Sequence, residues 1–142
     1  FPISFYTLTT QSLRVGNNGA LLAGTATGDV GYQNLSMADS AAYLIAPFWD
    51  DLNPGTGGAI YQQLFGTPGS GTAFWVVQWN QVPFFSVGGA NTFEAILHES
   101  GAFEYRYGPM TATSRGSGDS AVPRQGDRSI PGGRARRTGA CP

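Results

Sequence analysis

The apolar residues of this chain come in short or alternating runs between glycines, and no other feature constrains the fold as strongly. No stretch keeps a 3.6-residue apolar period with caps at both ends. Residues 35–44, with Met37, Ala38, Ala41 and Ala42, come nearest and predict a short helical turn. Elsewhere, β-branched and aromatic residues gather between Gly, Pro, Asn and Ser, as strands do between turns. Strands are expected over residues 4–8, 12–15, 20–23, 44–49, 59–65, 73–81, 92–98 and 102–107. Seven or eight short strands predict an all-β domain, an antiparallel two-sheet sandwich.

Turn chemistry sharpens this reading. Gly16-Asn17-Asn18-Gly19 supplies residues that tolerate positive φ, so it predicts a tight hairpin. Thr67-Pro68-Gly69-Ser70-Gly71 predicts a second. The last hairpin is fixed by parity. Phe93, Ala95 and Leu97 share one strand face, as do Phe103, Tyr105 and Tyr107. The two faces coincide only if paired residue numbers sum to an even number. A three-residue loop, Glu99-Ser100-Gly101, satisfies this and pairs Leu97 with Phe103, Ala95 with Tyr105 and Phe93 with Tyr107. Gly101 then takes the left-handed position of a bulged turn. The opposite, outward face sets Glu94 across from Arg106 as a surface ion pair of at most ~1 kcal/mol. Residues 74–79 are apolar on both faces and predict a central strand.

Composition divides the chain. All nine Phe, six Tyr and three Trp lie at or before Tyr107. The eight basic residues are all Arg; two precede residue 115, with seven acids, so residues 1–114 carry −5 and residues 115–142 carry +4. The expected organisation is a folded domain over 1–113 and an Arg/Gly/Pro-rich tail over 114–142. That tail reads as disordered, or as GC-rich DNA translated in a shifted frame. The start at Phe1 rather than Met predicts a piece of something longer. One cysteine excludes an internal disulfide framework, and one His with one Cys excludes a usual zinc site. Without lysine there is no phosphate-binding loop of the Gly-Lys kind. No apolar run approaches the roughly 18 residues of a membrane helix, so membrane insertion is not expected. The tail arginines lack interleaved aromatics and the body is acidic, so no nucleic-acid partner is expected.

The most distinctive segment is Leu44-Ile45-Ala46-Pro47-Phe48-Trp49-Asp50-Asp51-Leu52-Asn53-Pro54, a buried-looking strand that ends in two carboxylates and an Asn-Pro turn. Asn17-Asn18-Gly19 precedes it. Val76-Val77-Gln78-Trp79-Asn80, Phe93-Glu94-Ala95-Ile96-Leu97 and the glycine hairpin follow it. In this order and spacing, from Phe1 to Thr113, these elements resemble the nidogen-like (NIDO) extracellular domain and its bacterial relatives; Ile45 to Asp51 is the specific element. The resemblance implies a β-rich, non-catalytic module of secreted or surface multidomain proteins, associated with matrix adhesion. It also implies a further glycine-rich strand after Thr113, where this chain turns Arg-rich, so the sandwich is expected to lack its last strand.

Asp50, Asp51 and Asn53 are the candidate metal ligands, because Ca²⁺ takes closely spaced carboxylate and carbonyl oxygens. Against this, adjacent strand residues point to opposite faces. The structural alternative has the Asp side chains accept backbone N–H bonds and hold the turn into Asn53-Pro54. No other cofactor is expected. Trp79, Phe84 and Phe85 are the candidate ligand-binding residues, as an aromatic platform beside the Gly88-Gly89 loop. Glu94 and Glu104 on an outward face do not make a facing glycosidase pair. His98 lacks a nucleophile elbow and is read as a surface hairpin-end residue. The expected function is an extracellular module for adhesion or accessory binding, with a protein or glycan partner. The alternative is a carbohydrate-binding module using exposed aromatics.

Overall fold

The computed structural model describes residues 1–5, 8–24, 30–33 and 43–111. Among them are nine strands and no helix, in three antiparallel sheets. β1 (Ile3–Phe5) pairs with β2 (Leu8–Thr10). β3 (Leu13–Val15), β4 (Leu21–Ala23) and β5 (Tyr43–Ile45) form a three-stranded sheet. β6 (Ala59–Phe65), β7 (Phe74–Phe84), β8 (Gly88–His98) and β9 (Phe103–Tyr107) form a four-stranded sheet in sequence order. The helical turn expected over 35–44 falls largely outside the described residues; Tyr43 and Leu44 are in β5. The tail at 114–142 lies outside them as well.

The all-β antiparallel expectation holds. One core layer joins the sheets: Ile3, Leu21 and Ile45 pack with Val77, Trp79, Phe84, Phe93, Ala95 and Leu97. Trp79 stacks on Phe93 with centroids 5.0 Å apart, and Phe48 meets the Phe93 ring edge-on at 5.3 Å. Burying an aromatic of this size contributes about 4–6 kcal/mol of transfer free energy. On the far face of the three-stranded sheet, Ala20, Leu22, Val30 and Leu44 form a second cluster with Trp49 against it.

The parity argument gives the observed register of the last hairpin. Leu97 pairs with Phe103, Ala95 with Tyr105 and Phe93 with Tyr107. His98 N–H donates to Ala102 O at 2.8 Å, and Gly101 has φ +85°. β7 is central, as its two apolar faces predict.

Four expectations change. The strand read over 4–8 is a hairpin of two strands. The strand read over 44–49 leaves the ladder after Ile45, since Pro47 has no N–H to give it. The segment after residue 81, read as a loop, instead continues β7 to Phe84 and starts β8 at Gly88. An irregularity near Gln81, at φ 54°, absorbs the break in register before Pro83. Finally, Glu94 faces Arg106 in register but forms no ion pair with it among the described residues. Glu94 is buried on a central strand and accepts a 2.7 Å bond from Gln78 Nε2, while Arg106 sits 3.6 Å from Glu104.

Candidate functional site

The segment that carries the carboxylates is fastened at both ends. β5 delivers it, and the hairpin between β3 and β4 receives it. Phe48 N–H donates to Gly19 O at 3.3 Å and Asp50 N–H to Asn18 O at 3.2 Å. Asn18 uses its whole amide: Oδ1 accepts Leu52 N–H at 3.0 Å, and Nδ2 donates to Val30 O at 2.9 Å. Tyr107 of β9 donates its hydroxyl to Pro47 O at 2.7 Å, and Trp79 of β7 donates Nε1–H to Gly16 O at 3.1 Å. On the exit side, Leu52 bridges to Phe84, Asn53 N–H donates to Pro83 O, and Phe85 N–H donates to Asp51 O. The segment is a clasp that ties the three-stranded sheet to β7, β8 and β9.

Within the clasp, the three candidate ligands do local work. Asp50 is buried, and its Oδ1 accepts Asp51 N–H at 2.8 Å. Asn53 Oδ1 accepts Gly55 N–H at 3.0 Å, shaping the turn around Pro54. Burial first, and the neighbouring Asp50 charge second, push the Asp51 carboxyl above its ordinary range. Among the described residues, no three His, Cys, Asp or Glu side chains converge as a metal site would need.

The aromatic platform does not form from the three residues expected. Trp79 is 0% exposed and Phe84 is 1% exposed, both in the shared core. Alternation places Trp79 on the core face, and β7 carries Phe84 inward beyond the irregularity. Phe85 alone is presented to solvent, at 52%, on the tip between β7 and β8.

Two polar groupings lie elsewhere. His98 is half-buried rather than at the surface. Its ring lies 5.6 Å from Phe74, and its Nε2 sits 3.4 Å from Glu104 Oε1. Glu99 accepts Gly69 N–H at 2.6 Å and Gly71 N–H at 2.7 Å, so one carboxylate holds the β6–β7 loop against the β8–β9 loop. The Gly69 bond, with those from Gly71 and Ala73 behind it, holds the Glu99 carboxyl below its ordinary range despite some desolvation.

The family model described as "NIDO related" matches residues 1–127. The chain belongs to the NIDO-related family. Alpha-tectorin of mouse is 25% identical over 126 residues, covering 73% of this chain, and human alpha-tectorin matches to the same extent. The chain spans 6% of the length of these curated relatives. No solved structure matches. The NIDO-related match continues past Thr113 into residues placed in the tail by composition.

In this NIDO-related fold, the segment from Ile45 to Asp51 is legible in the sequence but its partners are not. Asn18 has the sequence of a turn former, yet it is the clasp's main side-chain donor and acceptor. Its signal was available: an Asn in a turn that already has a second Asn and two glycines is free to use its side chain elsewhere. Tyr107 and Glu99 left no comparable local signal.

Proposed function

We propose that this NIDO-related chain is a non-catalytic extracellular module that serves adhesion or accessory binding within a longer secreted or surface protein. The family match over residues 1–127, in a chain spanning 6% of the relatives' length, carries the reading. The geometry supports it, because four of the five carboxylates among the described residues are occupied structurally. Asp50 accepts Asp51 N–H, Glu94 accepts from Gln78 and Glu99 from Gly69 and Gly71, and Glu104 sits between His98 and Arg106.

The test is a solid-phase adhesion assay with the purified chain against extracellular-matrix proteins and a glycan array. Saturable binding to a matrix protein is expected. Failure across the panel, or turnover of a hydrolase substrate, overturns the reading. Glycan binding abolished by Phe85→Ala would instead favour the carbohydrate-binding alternative, which Phe85 alone of the three aromatics still serves. We also assign Asp50, Asp51 and Asn53 to the clasp rather than to Ca²⁺. Equal melting temperatures in Ca²⁺ and EGTA are expected, and a rise with Ca²⁺ refutes the assignment.

A further inference from the structure

The two ends of the four-stranded sheet differ. β9 carries Glu104 and Arg106, charges of the kind that discourage pairing with a foreign strand. β6 has no such device. Its sequence, Ala59-Ile60-Tyr61-Gln62-Gln63-Leu64-Phe65, contains no charge, proline or glycine. It pairs with β7 over seven consecutive residues without a bulge, so its free side is not bent away. Among the described residues, β7 is its only strand neighbour.

From Tyr61 to Phe65 every residue is exposed, and these include three large hydrophobics: Tyr61 at 56%, Leu64 at 45% and Phe65 at 38%. Five exposed residues in a row cannot come from alternation, because a strand with one covered face hides every second side chain. β6 therefore presents both faces, and with them its outer edge. A neutral, unbulged strand of high β propensity is the kind of segment to which another strand adds.

The composition of β6 selects the occupant. Two-fold antiparallel pairing sets residues opposite one another whose numbers have an even sum, so each face of the sheet continues into the same face of the partner. Centred on Gln62, the pairing puts Ile60 opposite Leu64 and Gln62 opposite itself. Centred on Gln63, it puts Tyr61 opposite Phe65 and Gln63 opposite itself. Either way, one apolar pair forms, one amide meets its own copy, which can donate and accept in turn, and one amide meets an apolar residue (Tyr61 opposite Gln63, or Gln62 opposite Leu64), with no like charges set together. A charged residue at either centre would meet its like, and there is none.

We propose that β6 is a self-pairing edge, through which two copies of this chain join their four-stranded sheets into one continuous sheet. The full chain should sediment as a reversible dimer of twice 15.0 kDa, with a dimer fraction that rises with concentration. Gln62→Lys combined with Gln63→Lys places like charges at the two-fold axis and should weaken association about tenfold or more. The matching Gln→Glu pair should do the same, and mixing the two variants should restore a heterodimer. Both glutamines are exposed, so the variants should keep the parent near-UV spectrum and melting temperature, which checks that loss of dimer is not loss of fold. A parent chain that stays monomeric up to hundreds of micromolar overturns the proposal. So does a dimer indifferent to both pairs of substitutions, or single-charge variants that fail to recombine. A matrix-binding result leaves this test untouched, since mass is read without any ligand.

Discussion

Replacing Asn18 by Ala tests whether the carboxylate segment is a clasp. The substitution removes two hydrogen bonds at 3.0 and 2.9 Å. Leu52 is a buried residue, so water reaches its orphaned N–H poorly. An unsatisfied backbone group of this kind costs about 1–3 kcal/mol, and loss of the second bond, to Val30 O, about 0.5–1.5 kcal/mol. Both bonds are only part-buried, so the lower ends apply and the total is about 2 kcal/mol. With a urea m-value of roughly 1–3 kcal/mol/M, the unfolding midpoint should fall by about 1 M or more with little change in slope. Asn18→Asp should recover part of the loss, because a carboxylate still accepts Leu52 N–H but cannot donate to Val30 O. Equilibrium urea unfolding followed by tryptophan fluorescence measures all three proteins. A loss under about 0.5 kcal/mol for Asn18→Ala, the range of a neutral surface change, would refute the clasp.

Further outcomes follow from the same geometry. Gly19→Ala should cost several kcal/mol, about 3 or more, because φ is +77° and a Cβ would stand 1.9 Å from Phe48 O; a soluble variant with the parent melting temperature contradicts that close approach. Phe84→Ala should cost about 3–5 kcal/mol, while Phe85→Ala should stay within about 0.5 kcal/mol in the same unfolding assay, and equal effects would contradict their opposite burial. Glu99, with its carboxyl pKa lowered in the folded chain, contributes stability that is full above the unfolded-state pKa and is lost as pH falls through the folded one. Glu99→Gln should flatten that acid limb in urea titrations across pH, and an unchanged limb rules out the loop-holding role. Asp51 has the opposite sign: its raised carboxyl pKa makes the ionised form a cost that disappears as pH falls through the folded value. Asp51→Asn should therefore be no less stable than the parent at neutral pH, and a marked loss of melting temperature there would show that the charge is needed.

The legible part of this protein is its local part. The β8–β9 register could be read because a strand alternates with period two and the loop must reconcile two apolar faces; Gly101 and the pairing of Leu97 with Phe103 follow from that alone. The segment from Ile45 to Asp51 could be recognised, and with it the family, because its residue order is distinctive. The β7–β8 tip reads as a loop for a local reason too. Pro83 and Gly88-Gly89 are loop signals by themselves, and a sheet irregularity that tolerates proline leaves no mark of its own in the sequence.

Three things were decided only when distant residues met. Asn18 holds Leu52 across 34 positions, Tyr107 holds Pro47 across 60, and Trp79 holds Gly16 across 63. No periodicity encodes such pairings, because each depends on how the sheets stack. The same stacking sent Trp79 and Phe84 into the core and left Phe85 outside, a difference that composition cannot express. It also left β6 at the end of its sheet with both faces exposed from Tyr61 to Phe65, although its sequence is as strand-like as that of β7. Residue order alone dictates that this chain makes strands, where the hairpins turn and which family it joins. Packing sets which aromatics are core, what the carboxylate segment fastens and which edge is open, because burial depends on neighbours far away along the chain.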